Sequence, residues 1–142
     1  MTQRSIGSVA RTSWILTCLL LCGCPQPAPV PPHLSAIQQR IFAPNCTFSS
    51  CHSTFGHAGN LNLEAGKAFK ALVGVSPDNA AAAAEGYLRV APGDAAHSFL
   101  LLKLRDPVPR QYGDRMPQHE TPVDDADLAS LKEWIALGAL DD

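Results

Sequence analysis

Cys46-Thr47-Phe48-Ser49-Ser50-Cys51-His52 is the stretch on which the reading of this chain turns. It sets two thiols on one short loop and puts an imidazole directly after the second. Three kinds of chemistry use such a pattern. The cysteines can close a disulfide in an oxidising compartment. With His52 and another histidine such as His57 they can bind zinc, although the paired knuckles of strong zinc motifs are missing. Alternatively, the two thiols can add across the vinyl groups of a haem while the adjoining imidazole reaches its iron, and this use alone requires the Cys-His adjacency. Its usual spacer is two residues. Here the spacer is longer, and the small Ser49 and Ser50 are suited to bulging out.

The chain has five cysteines, an odd number for an exported protein. Their positions account for the count. Arg4 and Arg11 precede the apolar run Trp14-Ile15-Leu16-Thr17-Cys18-Leu19-Leu20-Leu21, which is an export signal and is shorter than the roughly 20 apolar residues of a membrane span. Leu21-Cys22-Gly23-Cys24 resembles the lipobox of bacterial lipoproteins. That resemblance implies a signal peptide over residues 1–23 and a lipid on Cys24, and the mature protein would then be held at a membrane by its acyl chains. Cys18 and Cys22 leave with the signal, so Cys46 and Cys51 remain as the thiols of the folded part. Pro25, Pro27, Pro29, Pro31 and Pro32 predict a stiff, extended tether within residues 24–34 that keeps the domain clear of the membrane. The expected location is the cell envelope, either periplasm or cell surface, with the outer membrane foremost. An ordinary secreted protein is the alternative.

An iron bound to His52 needs a ligand on its other side. Apart from the initiator the chain has a single methionine, Met116, in Gly113-Asp114-Arg115-Met116-Pro117. Thioether sulfur favours ferrous iron and raises the potential. Pro117 biases Met116 toward extended backbone, which suits a loop lying across a ligand. His33, His57, His97 and His119 are rivals, and His119 is the strongest because it shares the Met116 loop. Arg89, Arg110 and Arg115 are candidate partners for haem propionates.

The 142 residues suffice for one modest domain, here 35–142, with a net charge of −2 and no basic stripe to suggest nucleic acid. No nucleophile-base pair, phosphate loop or paired carboxylates point to an enzyme. Apolar periodicity and capping residues predict four helices. The first runs over 35–43, capped by Ser35 and stopped by Pro44. The second covers 63–73 after Asn62, and the third 95–104. The last starts at Asp124 and ends at Gly138, with Leu128, Leu131, Trp134 and Ile135 on one stripe. Asp125 and Asp127 are expected to favour its N-terminal dipole. The alanine run 80–84 is a short helix or an insertion, and 105–123 is a long loop of the kind that carries function.

In that order, Ile41-Phe42, Cys46 to His52, Leu61-Asn62-Leu63, Leu72-Val73-Gly74, Val90-Ala91-Pro92-Gly93-Asp94, Met116-Pro117 and Trp134-Ile135-Ala136-Leu137-Gly138-Ala139 resemble the cytochrome c-like haem-binding domains of bacterial lipoproteins. These domains are abundant in myxobacteria and related to planctomycete-type cytochromes. The likeness runs from about Ile37 to the C-terminus. It implies an all-α, class I cytochrome c fold around one haem c, with the first and last helices crossing. Cys46 and Cys51 would then attach the haem, and His52 and Met116 would bind its iron. The expected role is an electron carrier serving redox partner proteins of the envelope. The competing expectation is a haem-free structural or binding lipoprotein with a Cys46-Cys51 disulfide.

Overall fold

The structure, a computed structural model, describes Met1 and residues 28–118 and 120–142; the signal segment, Cys24 and His119 lie outside the described residues. Helix predominates. Among the described residues no strand forms, and extended pairing is limited to the isolated bridges Val73–Val90, Leu88–Ser98 and Ala91–Asp94. The expected all-α class holds at that level.

Helix α1 spans residues 34–45 and differs from its prediction at both ends. It is α-helical over Leu34–Ile37, widens to a π turn over Gln38–Phe42 and closes as α over Ala43–Asn45. Within the wide turn the Ala43 N–H reaches back five residues to the Gln38 carbonyl. The widening comes just before Pro44, which has no N–H to donate, so the helix passes through the proline instead of stopping. The Asn45 side chain and the Cys46 N–H then bond the Ile41 and Phe42 carbonyls at 3.0 and 2.8 Å. Ser35 is not the N-cap. Asp142, at the other end of the chain, takes that role: its Oδ1 accepts the Leu34 N–H at 2.8 Å, its carbonyl oxygen accepts the Ser35 N–H at 2.9 Å, and its Oδ2 pairs with His33.

Helices α2 (Ala68–Leu72), α3 (Ala80–Ala84) and α4 (Phe99–Leu104) are short. Two are shorter than expected because polar side chains bend the preceding backbone into turns. Asn62 Oδ1 accepts the Glu64 N–H, and Gly66 at φ +75° then keeps residues 63–67 out of helix. Asp94 Oδ1 accepts the N–H groups of Ala96 and His97, so α4 begins at Phe99 rather than at Ala95. The alanine run does form α3, with Asn79 accepting the Ala82 N–H.

Helix α5 (Asp125–Ala136) is the longest regular α-helix among the described residues, and Asp124 caps it as its sequence predicts. Leu131, Trp134 and Ile135 are buried in one core with Ile37, Ile41 and Phe42, and α1 touches α5. Leu128 lies half-buried at the edge of the stripe. Asp127 does more than complement the helix dipole: it is buried, and its Oδ2 accepts from Arg40 Nε at 3.2 Å. The packed region also starts before residue 35. Val30 and Leu34 belong to the core, and Arg40 Nη1 donates to the Ala28 carbonyl at 3.3 Å. The C-terminal part of the expected tether therefore lies on the domain instead of standing free of it.

A second, aromatic cluster gathers Tyr87, Phe99 and Tyr112, with ring centroids 5.7–6.1 Å apart. It lies beneath the long loop after α4, where Arg110–Tyr112 form a single 3₁₀ turn.

Candidate functional site

The C-terminal end of α1 delivers Cys46 to the site, and hydrogen bonds shape the loop that follows. The His52 N–H donates to the Cys46 carbonyl at 3.0 Å, the Ala58 N–H to the Cys51 carbonyl at 3.2 Å, and the Leu63 N–H to the His52 carbonyl at 2.8 Å. Residues 46–63 thus fold back over the two cysteines. Phe48 and Phe55 on this loop stay exposed.

Two cavities, of about 250 and 390 Å³, both have Cys46, His52, Ala58 and Met116 in their walls. They adjoin as one cleft. The first is walled mainly by apolar side chains, among them Leu61, Leu63, Leu72 and Leu104, and the second adds Cys51, Phe48 and Pro117. All four residues expected at a haem site therefore border one space, although the sequence separates Met116 widely from the other three.

His52 is held in a defined state. Its Nδ1 lies 2.8 Å from the Ala58 carbonyl oxygen, an acceptor only, so Nδ1 carries the proton and Nε2 keeps its lone pair. Burial pushes the imidazole pKa down. The Ala58 bond opposes that shift, and the nearby Arg89 charge adds to it. A neutral ring with one nitrogen tied to a carbonyl is the form in which histidine binds metals.

The cysteines are both free. Burial, followed by the neighbouring Cys51, pushes the Cys46 thiol up to about 12. Its Sγ lies 3.7 Å from the Ile41 carbonyl oxygen. Cys46 is accordingly a neutral, half-buried thiol at the wall of the cleft.

Met116 is half-buried against the main core. Lys103 of α4 fixes its loop at several points. The Met116 N–H donates to the Lys103 carbonyl at 2.7 Å, while the Lys103 ammonium donates to the carbonyls of Tyr112, at 2.9 Å, and Asp114. Tyr112, buried in the aromatic cluster, hydrogen-bonds the Glu85 carboxylate, which pushes its phenol up to about 12.

Among the rival histidines, His33 pairs with Asp142 and His97 with Asp94, and His57 is exposed; none of the three borders the cleft. Among the described residues no three His, Cys, Asp or Glu side chains group to hold a metal, so the zinc set of Cys46, Cys51, His52 and His57 is not assembled. Of the three arginines, Arg110 is exposed and Arg89 is buried with both terminal nitrogens engaged by protein. Arg115 keeps a buried Nη1 without a partner.

Sequence reasoning missed the supporting residues. The Ala58 carbonyl carries no side-chain signal. Gly56 sits so close to Cys51 that a Cβ there would lie 2.4 Å from the Cys51 carbonyl oxygen, and nothing in the residue pattern singled it out. Lys103 fell within the predicted third helix with no role assigned to it. In comparisons with known proteins, no family model, no curated protein and no solved structure matches the chain.

Proposed function

We propose that this chain is a c-type cytochrome of the bacterial cell envelope: an electron carrier with one covalent haem c, a class I cytochrome fold, and a lipid anchor on Cys24. The observation that carries the reading is that Cys46, Cys51, His52 and Met116 meet at one cleft, with the His52 ring already turned by the Ala58 carbonyl. The donor set fits the group. Two free thiols, a neutral imidazole and a thioether are what attachment and six-coordinate low-spin iron require.

Each residue has a distinct role. Cys46 and Cys51 would hold the haem, each through one thioether made by adding its S–H across a separate vinyl group with no net oxidation, and His52 through Nε2 and Met116 through sulfur would hold its iron. The leucines of the cleft exclude water, which keeps the site's dielectric low and its potential high. When bound, the group supplies a single-electron ferric–ferrous couple, and no substrate bond is made or broken. The envelope's redox partner proteins would give and take that electron, and Cys24 would keep the carrier at its membrane.

Intact mass and an optical spectrum of the full chain, matured in a host with haem-attachment machinery, test this reading. The expected result is one added haem and a low-spin spectrum with the weak ferric band of sulfur ligation. A colourless chain lighter by two hydrogens than the dithiol would replace it with the disulfide lipoprotein. A high-spin, five-coordinate spectrum would keep the haem and remove Met116 as its ligand.

A further inference from the structure

The carbonyl that orients His52 belongs to an unusual turn. His57, Gly59 and Asn60 all have positive φ, at +46°, +62° and +48°, and two of the three are not glycine. Such backbone is disfavoured for residues with a Cβ and persists where surrounding contacts hold it. Ala58 lies in the middle of this turn.

Arg89 supplies those contacts. Its guanidinium is buried, with the residue only 8% exposed. Nη2 donates to the Gly59 carbonyl at 3.0 Å and Nη1 to the Asn60 carbonyl at 3.2 Å. The same fork reaches the Ala71 carbonyl at 3.0 Å and Asp78 Oδ1 at 3.1 Å. Asp78 Oδ2 in turn accepts from the Asn60 side chain, closing a ring around the turn. Arg89 is itself fixed, because its N–H donates to the Val75 carbonyl at 2.7 Å and its carbonyl accepts the Leu100 N–H at 3.0 Å. Both of its terminal nitrogens are engaged with protein, three of the four bonds going to backbone carbonyls, so it is built to hold backbone.

We propose that Arg89 is a positioning residue for the iron ligand: through the left-handed turn at 57–60 it aims the Ala58 carbonyl at His52 Nδ1 and thereby sets how strongly Nε2 donates. The inference rests on the haem reading above. A firm Nδ1–H···O bond raises the basicity of the other nitrogen, and a more basic ligand stabilises ferric over ferrous iron. A loosened turn weakens that bond and favours the ferrous form.

Two variants test the idea without changing the charge of the site. Arg89→Lys keeps the positive charge and loses the fork. Asn60→Ala keeps every charge, removes the bond to Asp78 and places a methyl-bearing residue at positive φ. In the haem-loaded full chain, each should raise the ferrous-to-ferric ratio at a fixed electrode potential about threefold or more. In the haem-free full chain, each should speed solvent exchange of the His52 Nδ1 proton, read by nitrogen-15 NMR. Wild-type ratio and wild-type exchange in both variants would overturn the proposal, as would a lowered melting temperature with both readouts unmoved. If Arg89→Lys fails to fold, Asn60→Ala decides alone. A wild-type chain that takes no haem sinks the cytochrome reading and not the hold of Arg89 on the turn, because the exchange measurement still reads that directly.

Discussion

A methyl group on Gly56 would meet the Cys51 backbone nitrogen at 2.6 Å as well as its carbonyl oxygen, and neither can swing away as a side-chain tip could. Gly56→Ala must therefore displace Cys51 and the neighbouring His52. We expect a loss of about 1–3 kcal/mol of stability in the haem-free chain, read from its urea midpoint, and a lower haem content in the matured protein. Unchanged values for both would mean that the loop yields freely. Cys46 offers a second check. A thiol held near 12 stays protonated at pH 8, so alkylation should be at least about tenfold slower in the folded haem-free chain than in urea. Stability follows with a definite sign: it is unaffected while the unfolded thiol is also protonated, and it falls as pH rises from the ordinary value of 9.0 toward 12. At this scale the sequence was most legible where chemistry resides in a side chain. The two thiols, His52 and Met116 announce themselves. Gly56 and Ala58 act through backbone, and nothing in their residue type says which carbonyl or which close approach matters.

Among the elements, α4 acts as the bracket of the Met116 loop. Lys103→Met keeps the aliphatic stem and removes the ammonium that the Tyr112 and Asp114 carbonyls share. Loss of a charged donor should cost about 1–3 kcal/mol. In the haem-loaded protein the ferric band of sulfur ligation should weaken while the mass shows the haem still attached. A full-strength band would remove Lys103 from the positioning of Met116. Element boundaries were readable where their causes are local. Asp124 and the Leu131–Trp134–Ile135 stripe define α5 within a few residues. They were unreadable where the cause is distant or competes with helix: α1 is capped from Asp142, and the starts of α2 and α4 are delayed by Asn62 and Asp94 bending their own backbone.

For the molecule as a whole, carboxylates paired in the fold govern the response to acid. Lys67 above all, then Thr54, holds Glu64 down to about 2 from an ordinary 4.5, while bonds from His97 lower Asp94 and bonds from His33 lower Asp142. A depressed carboxyl stabilises the fold above its unfolded pKa, and that contribution disappears as pH falls through the folded value. The melting temperature of the haem-free chain should thus begin to fall gently below about pH 6.5, where the unfolded His52 takes up a proton that the buried ring resists, and steepen below about pH 5 as the carboxylates are protonated, and the acid slope should be shallower in Asp142→Asn. An identical slope in that variant would show that the link between the first helix and the chain's last residue contributes nothing. The predominance of helix among the described residues is a feature that periodicity did convey, whereas the cleft arises only when α1, α4 and the loop at 105–123 meet.

The pinning of Ala28 by Arg40 and the burial of Val30 have a consequence for how such a carrier would work in its compartment. With an acyl group on Cys24, the backbone available before Ala28 spans at most about 14 Å, at about 3.4 Å per residue. The protein would ride on the bilayer like a cart on a floor, searching for donors and acceptors by two-dimensional diffusion.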